Sequence, residues 1–132
     1  SILAACILAG ALGCAAQDSG QKMFATASAL TKLSSSVEAV VLFRNPSAAL
    51  TDRELLRLAT AGDPQLLRAF EPFTVRVLRH EQGVVLLVCQ PDGGPALLED
   101  ASCTAKLDRH HWRDDPGARC EFTLKMPEVC AP

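Results

Sequence analysis

Residues Phe73 to Glu99 read FTVRVLRHEQGVVLLVCQPDGGPALLE, and the fold follows from how this stretch divides. Phe73, Val75 and Val77 alternate with Thr74 and Arg76, and Arg79 and His80 follow. That is a strand with one wet face for part of its length. Glu81-Gln82-Gly83 turns the chain. Val84 to Cys89 carries no polar residue, so it reads as a central strand buried on both faces and covered by helices on one of them. Pro91-Asp92-Gly93-Gly94 is a strong turn signal. Ala96, Leu97 and Leu98 form a third strand, and Glu99-Asp100 mark its exit. Short loops join all three, which predicts an antiparallel meander.

The segments before it supply helices. Leu30, Leu33, Val37, Val40 or Val41, and Arg44 recur at steps of three and four within Met23 to Arg44, the stripe of a helix. Dense β-branched residues leave a strand open as an alternative over Val37 to Phe43. Asn45-Pro46-Ser47 ends the element either way, because Pro46 biases Asn45 away from helix. Thr51-Asp52-Arg53-Glu54 has the form of a capping box, and Leu55, Leu56, Leu58 and Ala59 give the helix after it an apolar face. Gly62 is placed to end that helix in a left-handed conformation. Asp63-Pro64 reads as an N-cap and first position of a short second helix to Phe70, closed by Pro72.

Beyond the meander, Cys103 to Leu107 reads as a fourth short strand or an extended tie. Cys120 to Lys125 alternates and reads as a final edge strand, and Met126 to Pro132 as a tail. The expected architecture is α+β: N-terminal helices packed on one face of a small antiparallel meander, stapled by disulfides. A chain of 132 residues accommodates one such domain, over residues 23–132.

The first sixteen residues, SILAACILAGALGCAA, are uncharged. The run matches a signal-peptide apolar region and is shorter than the roughly 20 residues of a membrane span. Neither Met nor a basic segment precedes Ser1, so the leader reads as clipped at its front or as starting from a misassigned position. Residues 17–22 begin with the polar Gln17-Asp18-Ser19-Gly20 and read as a tether. Leu3-Ala4-Ala5-Cys6 and Ala11-Leu12-Gly13-Cys14 both have the pattern of a lipid-modified cysteine site. Cleavage before Cys14 places the apolar run on the discarded side and the polar residues on the mature side, so Cys14 is the expected lipidation site and Cys6 the alternative; an ordinary secretory signal cut near Ala16 and an uncleaved anchor are the competing readings. These residues resemble bacterial lipoprotein leaders, and ALLEDASCTAKLDRHHW (residues 96–112) is similar to small exported proteins of Gram-negative bacteria. The resemblance implies an address, a periplasmic domain held by lipid at a membrane, most simply the outer one. It implies no activity.

Six cysteines are present. With two in the leader, Cys89, Cys103, Cys120 and Cys130 remain, an even number suited to disulfides in an oxidising compartment. None forms C-x-x-C, which weighs against zinc and thioredoxin-like chemistry. Three pairings exist. Cys89–Cys103 with Cys120–Cys130 is preferred because each bridge closes a short loop, contributing about 3 kcal/mol in the chain-entropy model.

A net charge of −2 with few aromatics and no Tyr gives no footprint for nucleic acid. Only 108–115, with Asp108, His110, His111 and Asp114, gathers chemistry-bearing side chains. Asp108 and His110 share a side of an extended backbone, and with Asp114 they are weak candidates for a divalent cation; a His with a carboxylate partner also suits acid–base work. Against this stands a polar surface loop in which Trp112 plugs the core and Arg109 and Arg113 pair with Asp residues. There is no H-E-x-x-H, G-x-S-x-G or P-loop, so no catalytic residue, resident metal or cofactor is expected. The leading expectation is a non-enzymatic envelope lipoprotein that binds another protein, as an assembly factor, pilotin-like accessory or inhibitor does. The alternative is a periplasmic metal- or small-ligand-binding protein using Asp108–Asp115.

Overall fold

In the computed structural model, residues 2–104 and 119–130 are described, with side chains for 21–103 and 119–130. Helix α1 spans Ile2–Arg44, α2 Asp52–Ala59 and a 3-10 helix Pro64–Phe70; strands β1 (Thr74–His80), β2 (Gly83–Cys89) and β3 (Ala96–Ala101) follow, and a short α3 covers Met126–Val129. The strands form one antiparallel sheet in the order β1-β2-β3. The protein is the expected α+β fold, helices on a meander.

The helical reading prevails over the strand alternative at Val37 to Phe43. Ala27, Leu30, Leu33, Val37 and Val40 lie along one buried face of α1. Serines tend to weaken helices by competing for backbone bonds. Here Ser35 and Ser36 donate their hydroxyls to the carbonyls of Thr31 and Lys32 one turn back, so the ladder continues. Asn45 then takes φ 43°, the left-handed conformation that Asn tolerates at a helix C-terminus. The helix also runs through residues 17–22, the stretch expected to be a tether. Among the described residues no helix is long and apolar enough to cross a membrane.

Smaller features depart from expectation. Gly62 is not left-handed; α2 instead ends at Thr60, whose amide and hydroxyl both donate to the Leu56 carbonyl. Pro64–Phe70 is the expected short helix, of 3-10 type, but Asp63 makes no side-chain cap. The turn before β3 places Asp92 and Gly93 both at positive φ, 63° and 74°, as a type I′ connection requires. Ser102–Thr104 forms a 3-10 turn, so a fourth strand does not start at Cys103.

The sheet is covered on both faces, by different means. Val84, Leu86 and Val88 of β2 join Leu98 of β3 in a core with α1, α2 and the 3-10 helix. Val85, Leu87 and Cys89 point the other way and meet Ala96, Ala101, Phe122, Leu124 and Met126. Leu97 is the extra residue where the register shifts between Val88 and Cys89, so Ala96 and Leu98 fall on opposite faces although they are two apart. The second face is therefore closed by a strap, residues 120–130, lying across the sheet.

The strap corrects two expectations. Cys120 to Lys125 forms no strand. Its amides go to a side chain: Glu99 Oε1 accepts from the backbone of Thr123 (2.7 Å) and Leu124 (3.0 Å), and Oε2 accepts the Thr123 hydroxyl (2.7 Å). The disulfides are Cys89–Cys120 and Cys103–Cys130, not the preferred short-loop pairs. Each ties one end of the strap to the sheet side, with Cα–Cα distances of 5.7 and 5.6 Å. A short-loop pairing overlooks that Cys89 and Cys103 sit near opposite ends of the meander. Two such cross-links are the mark of a domain matured in an oxidising compartment, outside the reducing cytosol.

Gly83 sits at the turn between β1 and β2 with φ 156°, and a Cβ there would lie 2.7 Å from Ser102 Oγ and 3.1 Å from Met126 Cε. Ser102 Oγ cannot swing away freely, because it accepts the Val84 amide at 3.0 Å. Gly83→Ala is expected to cost about 1–3 kcal/mol, measured as a lower urea midpoint at unchanged slope.

Candidate functional site

Glu99-Asp100, expected to mark the exit of the third strand, lie inside β3 and are 0% and 2% exposed. Alternation sends them to opposite faces. Glu99 holds the strap, while Asp100 faces the helices, next to the buried Ser34 of α1. Burial pushes the Asp100 carboxyl up from its usual value to about 6, and the Ser34 hydroxyl lowers it only in part; that hydroxyl lacks a hydrogen bond of good geometry.

The sign follows from linkage. The folded state holds the Asp100 proton more tightly than the unfolded chain, whose carboxyl ionises near 3.8. The protein is therefore stabilised at and below about pH 4, and that stabilisation is lost as pH rises through about 6. The amplitude is on the order of 3 kcal/mol. Asp100→Asn is expected to flatten this part of the profile. Urea titrations of wild type and variant at pH 4, 5, 6 and 7.5 isolate it, because the other carboxylates are common to both.

An open site forms on the helix side of β1. The capping box at the start of α2 is complete: Thr51 Oγ1 accepts the Glu54 amide at 3.1 Å and Glu54 Oε1 accepts the Thr51 amide at 3.3 Å. Between them, Asp52 Oδ2 accepts the Val77 amide at 3.2 Å. This bond fastens the start of α2 to the outer edge of β1. Leu55 and Leu56 are buried by the same docking.

Where α2 leaves the strand, a cleft of about 460 Å³ opens between α2, the 3-10 helix and β1. Leu56, Leu67, Phe70, Phe73 and Val75 give it apolar walls, and Arg53, Arg57, Glu71 and Thr74 contribute polar groups. Arg53 and Arg57 are exposed and one helical turn apart. Neither forms an ion pair or hydrogen bond among the described residues. Two like charges at this spacing disfavour the helix slightly, and no ion pair among the described residues relieves this repulsion. An apolar cleft with a few converging polar groups is the usual form of a binding site.

Asp108, His110, His111, Trp112 and Asp114 lie outside the described residues, and so do the side chains of Cys6 and Cys14. Among the described residues no three His, Cys, Asp or Glu side chains gather as metal ligands would. The arginine pair was visible in the sequence as Arg53-x-x-x-Arg57 beside the leucines of the capped helix. Its importance depends on β1 lying alongside, which local pattern does not reveal. No protein-family model, curated protein or solved structure matches the chain.

Proposed function

We propose that this chain is a non-enzymatic cell-envelope lipoprotein of a Gram-negative bacterium, tethered by lipid in the periplasm, most simply at the outer membrane, whose domain binds another protein as an assembly accessory. The observation that carries the binding role is the α2–β1 cleft, apolar within and lined by two arginines that have no ion-pair or hydrogen-bond partner among the described residues. The disulfides support export, since such bridges form and persist in oxidising compartments. The lipid part rests on the leader, in which Cys14, with Cys6 as the alternative, has the residues of an acylation site. Multiple acyl chains on one cysteine bury enough CH₂ groups for stable anchoring.

Two measurements test the two halves. Mass spectrometry of the membrane-bound protein should find an acylated cysteine at the mature N-terminus; an unmodified N-terminus beginning at Gln17 contradicts the anchor. A photo-crosslinking residue at Leu67, within the cleft, should capture the same envelope protein in repeated preparations, and one at the distant, exposed Gln82 should not. Equal capture from both positions, or none, contradicts the binding role.

A further inference from the structure

The chemistry of the cleft narrows what occupies it. We propose that it takes an extended polypeptide segment with carboxylate side chains at alternate positions, which pairs its backbone with Val75 on the open edge of β1 while the carboxylates engage Arg53 and Arg57. The proposal rests on the protein-binding reading above and specifies the partner's chemistry.

The strand edge supplies the first argument. The Val77 amide points away from β2, because it donates to Asp52. Amide direction alternates along a regular strand, and the β1–β2 register is unbroken from Thr74 to His80. The Val75 amide and carbonyl therefore also point outward. Flanking positions are closed: the Phe73 amide donates to the Phe70 carbonyl at 2.9 Å and Asp52 occupies Val77. Among the described residues the edge is thus interrupted at Phe73 and Val77 and open between them at Val75, beside the cleft that Val75 lines. Bare strand edges recruit extended chains, and this opening admits a short one in a fixed place.

Spacing and charge supply the second. Arg53 and Arg57 are four residues apart on a helix, a rise of about 6 Å. Side chains on one face of an extended peptide repeat every two residues, about 6.6–6.8 Å. Carboxylates at alternate positions therefore match the two guanidiniums, each able to form a charge-assisted, forked pair. Leu56, Leu67 and Phe70 leave room for an apolar side chain of the same segment. Among the described residues Glu71 is the one carboxylate lining the cleft, which leaves it net positive. A phospholipid headgroup would use the cations but has no use for the strand edge, which favours a polypeptide.

The test uses the oxidised full chain and a labelled octapeptide with glutamates alternating with valines. Fluorescence anisotropy should show saturable binding that weakens about tenfold or more when the glutamates become glutamines, and again in Arg53→Ala/Arg57→Ala. Methylating the peptide nitrogen opposite Val75, found by scanning each position, should weaken it comparably. Both arginines are exposed, so the variant is expected to keep the wild-type circular dichroism spectrum and urea midpoint. Three results overturn the proposal: binding indifferent to the arginines, binding indifferent to methylation at every position, or phosphatidylglycerol vesicles bound through the arginines while the peptide is not. If the Leu67 crosslinker captures a reproducible partner but the acidic peptide fails to bind, protein binding stands and this account of the partner's chemistry falls.

Discussion

Cys120→Ser is expected to lower the unfolding free energy by about 3–4 kcal/mol, the chain-entropy value for a bridge closing a loop of this length. The separation is 31 residues in Cys89–Cys120 and 27 in Cys103–Cys130. Losing the first bridge frees the strap where it enters the sheet face. There Arg76 donates to the Cys120 carbonyl at 3.0 Å and lies over the Phe122 ring at 5.2 Å from its centroid. These exposed contacts hold the strap weakly once the covalent tie is gone. Leu87, Cys89 and Ala96, now sealed under Cys120 and Phe122, should become accessible. Urea denaturation reads the stability loss, and hydrogen exchange should show faster exchange at Thr123 and Leu124 than on the helix side. A variant whose stability falls by less than 1 kcal/mol would mean that the strap adheres without its staple.

Glu99 separates the charge of its contact from the contact itself. In Glu99→Gln, the amide oxygen can still accept the two backbone amides and the NH₂ can donate to the Thr123 hydroxyl. Charge assistance of these bonds is lost, about 1–2 kcal/mol. Glu99→Ala leaves the Thr123 and Leu124 amides without their acceptor and a void beside Leu87, so about 3–5 kcal/mol is expected. The order wild type, Gln, Ala in urea midpoint is the prediction. Equal losses for Gln and Ala would show that the negative charge, and not acceptor geometry, holds the strap.

Much of the fold was legible because its signals are local. The β2 run is apolar at every position and must be central. The capping box announces α2, and Asp92-Gly93 announces the turn before β3. The strap was not legible for the same reason. Alternation at Glu121 to Lys125 suggests a strand, but whether such a segment pairs along an edge or crosses a face depends on a distant acceptor, the Glu99 carboxylate. Glu99-Asp100 likewise look solvated in sequence, because a carboxylate beside a turn usually is. Only the crowding of both sheet faces shows that each is buried for a separate reason. The cleft followed the same rule: Arg53 and Arg57 do not stand out in the sequence as a site, because the outward edge of β1 that gives them a role is set by the fold. The loop singled out for metal chemistry, 108–115, lies outside the described residues.

The central claim is that residues 120–130 form a strap locked at both ends over the second face of the sheet, and disulfide mapping tests it most directly. Trypsin under acidic, non-reducing conditions leaves Cys89 and Cys103 together in residues 80–106, with Cys120 in 120–125 and Cys130 in 126–132. Further cleavage after Glu99 separates the first two. The account predicts that the fragment carrying Cys89 is joined to the one carrying Cys120, and the fragment carrying Cys103 to the one carrying Cys130. A link between 120–125 and 126–132, or free thiols at all four positions, would contradict it.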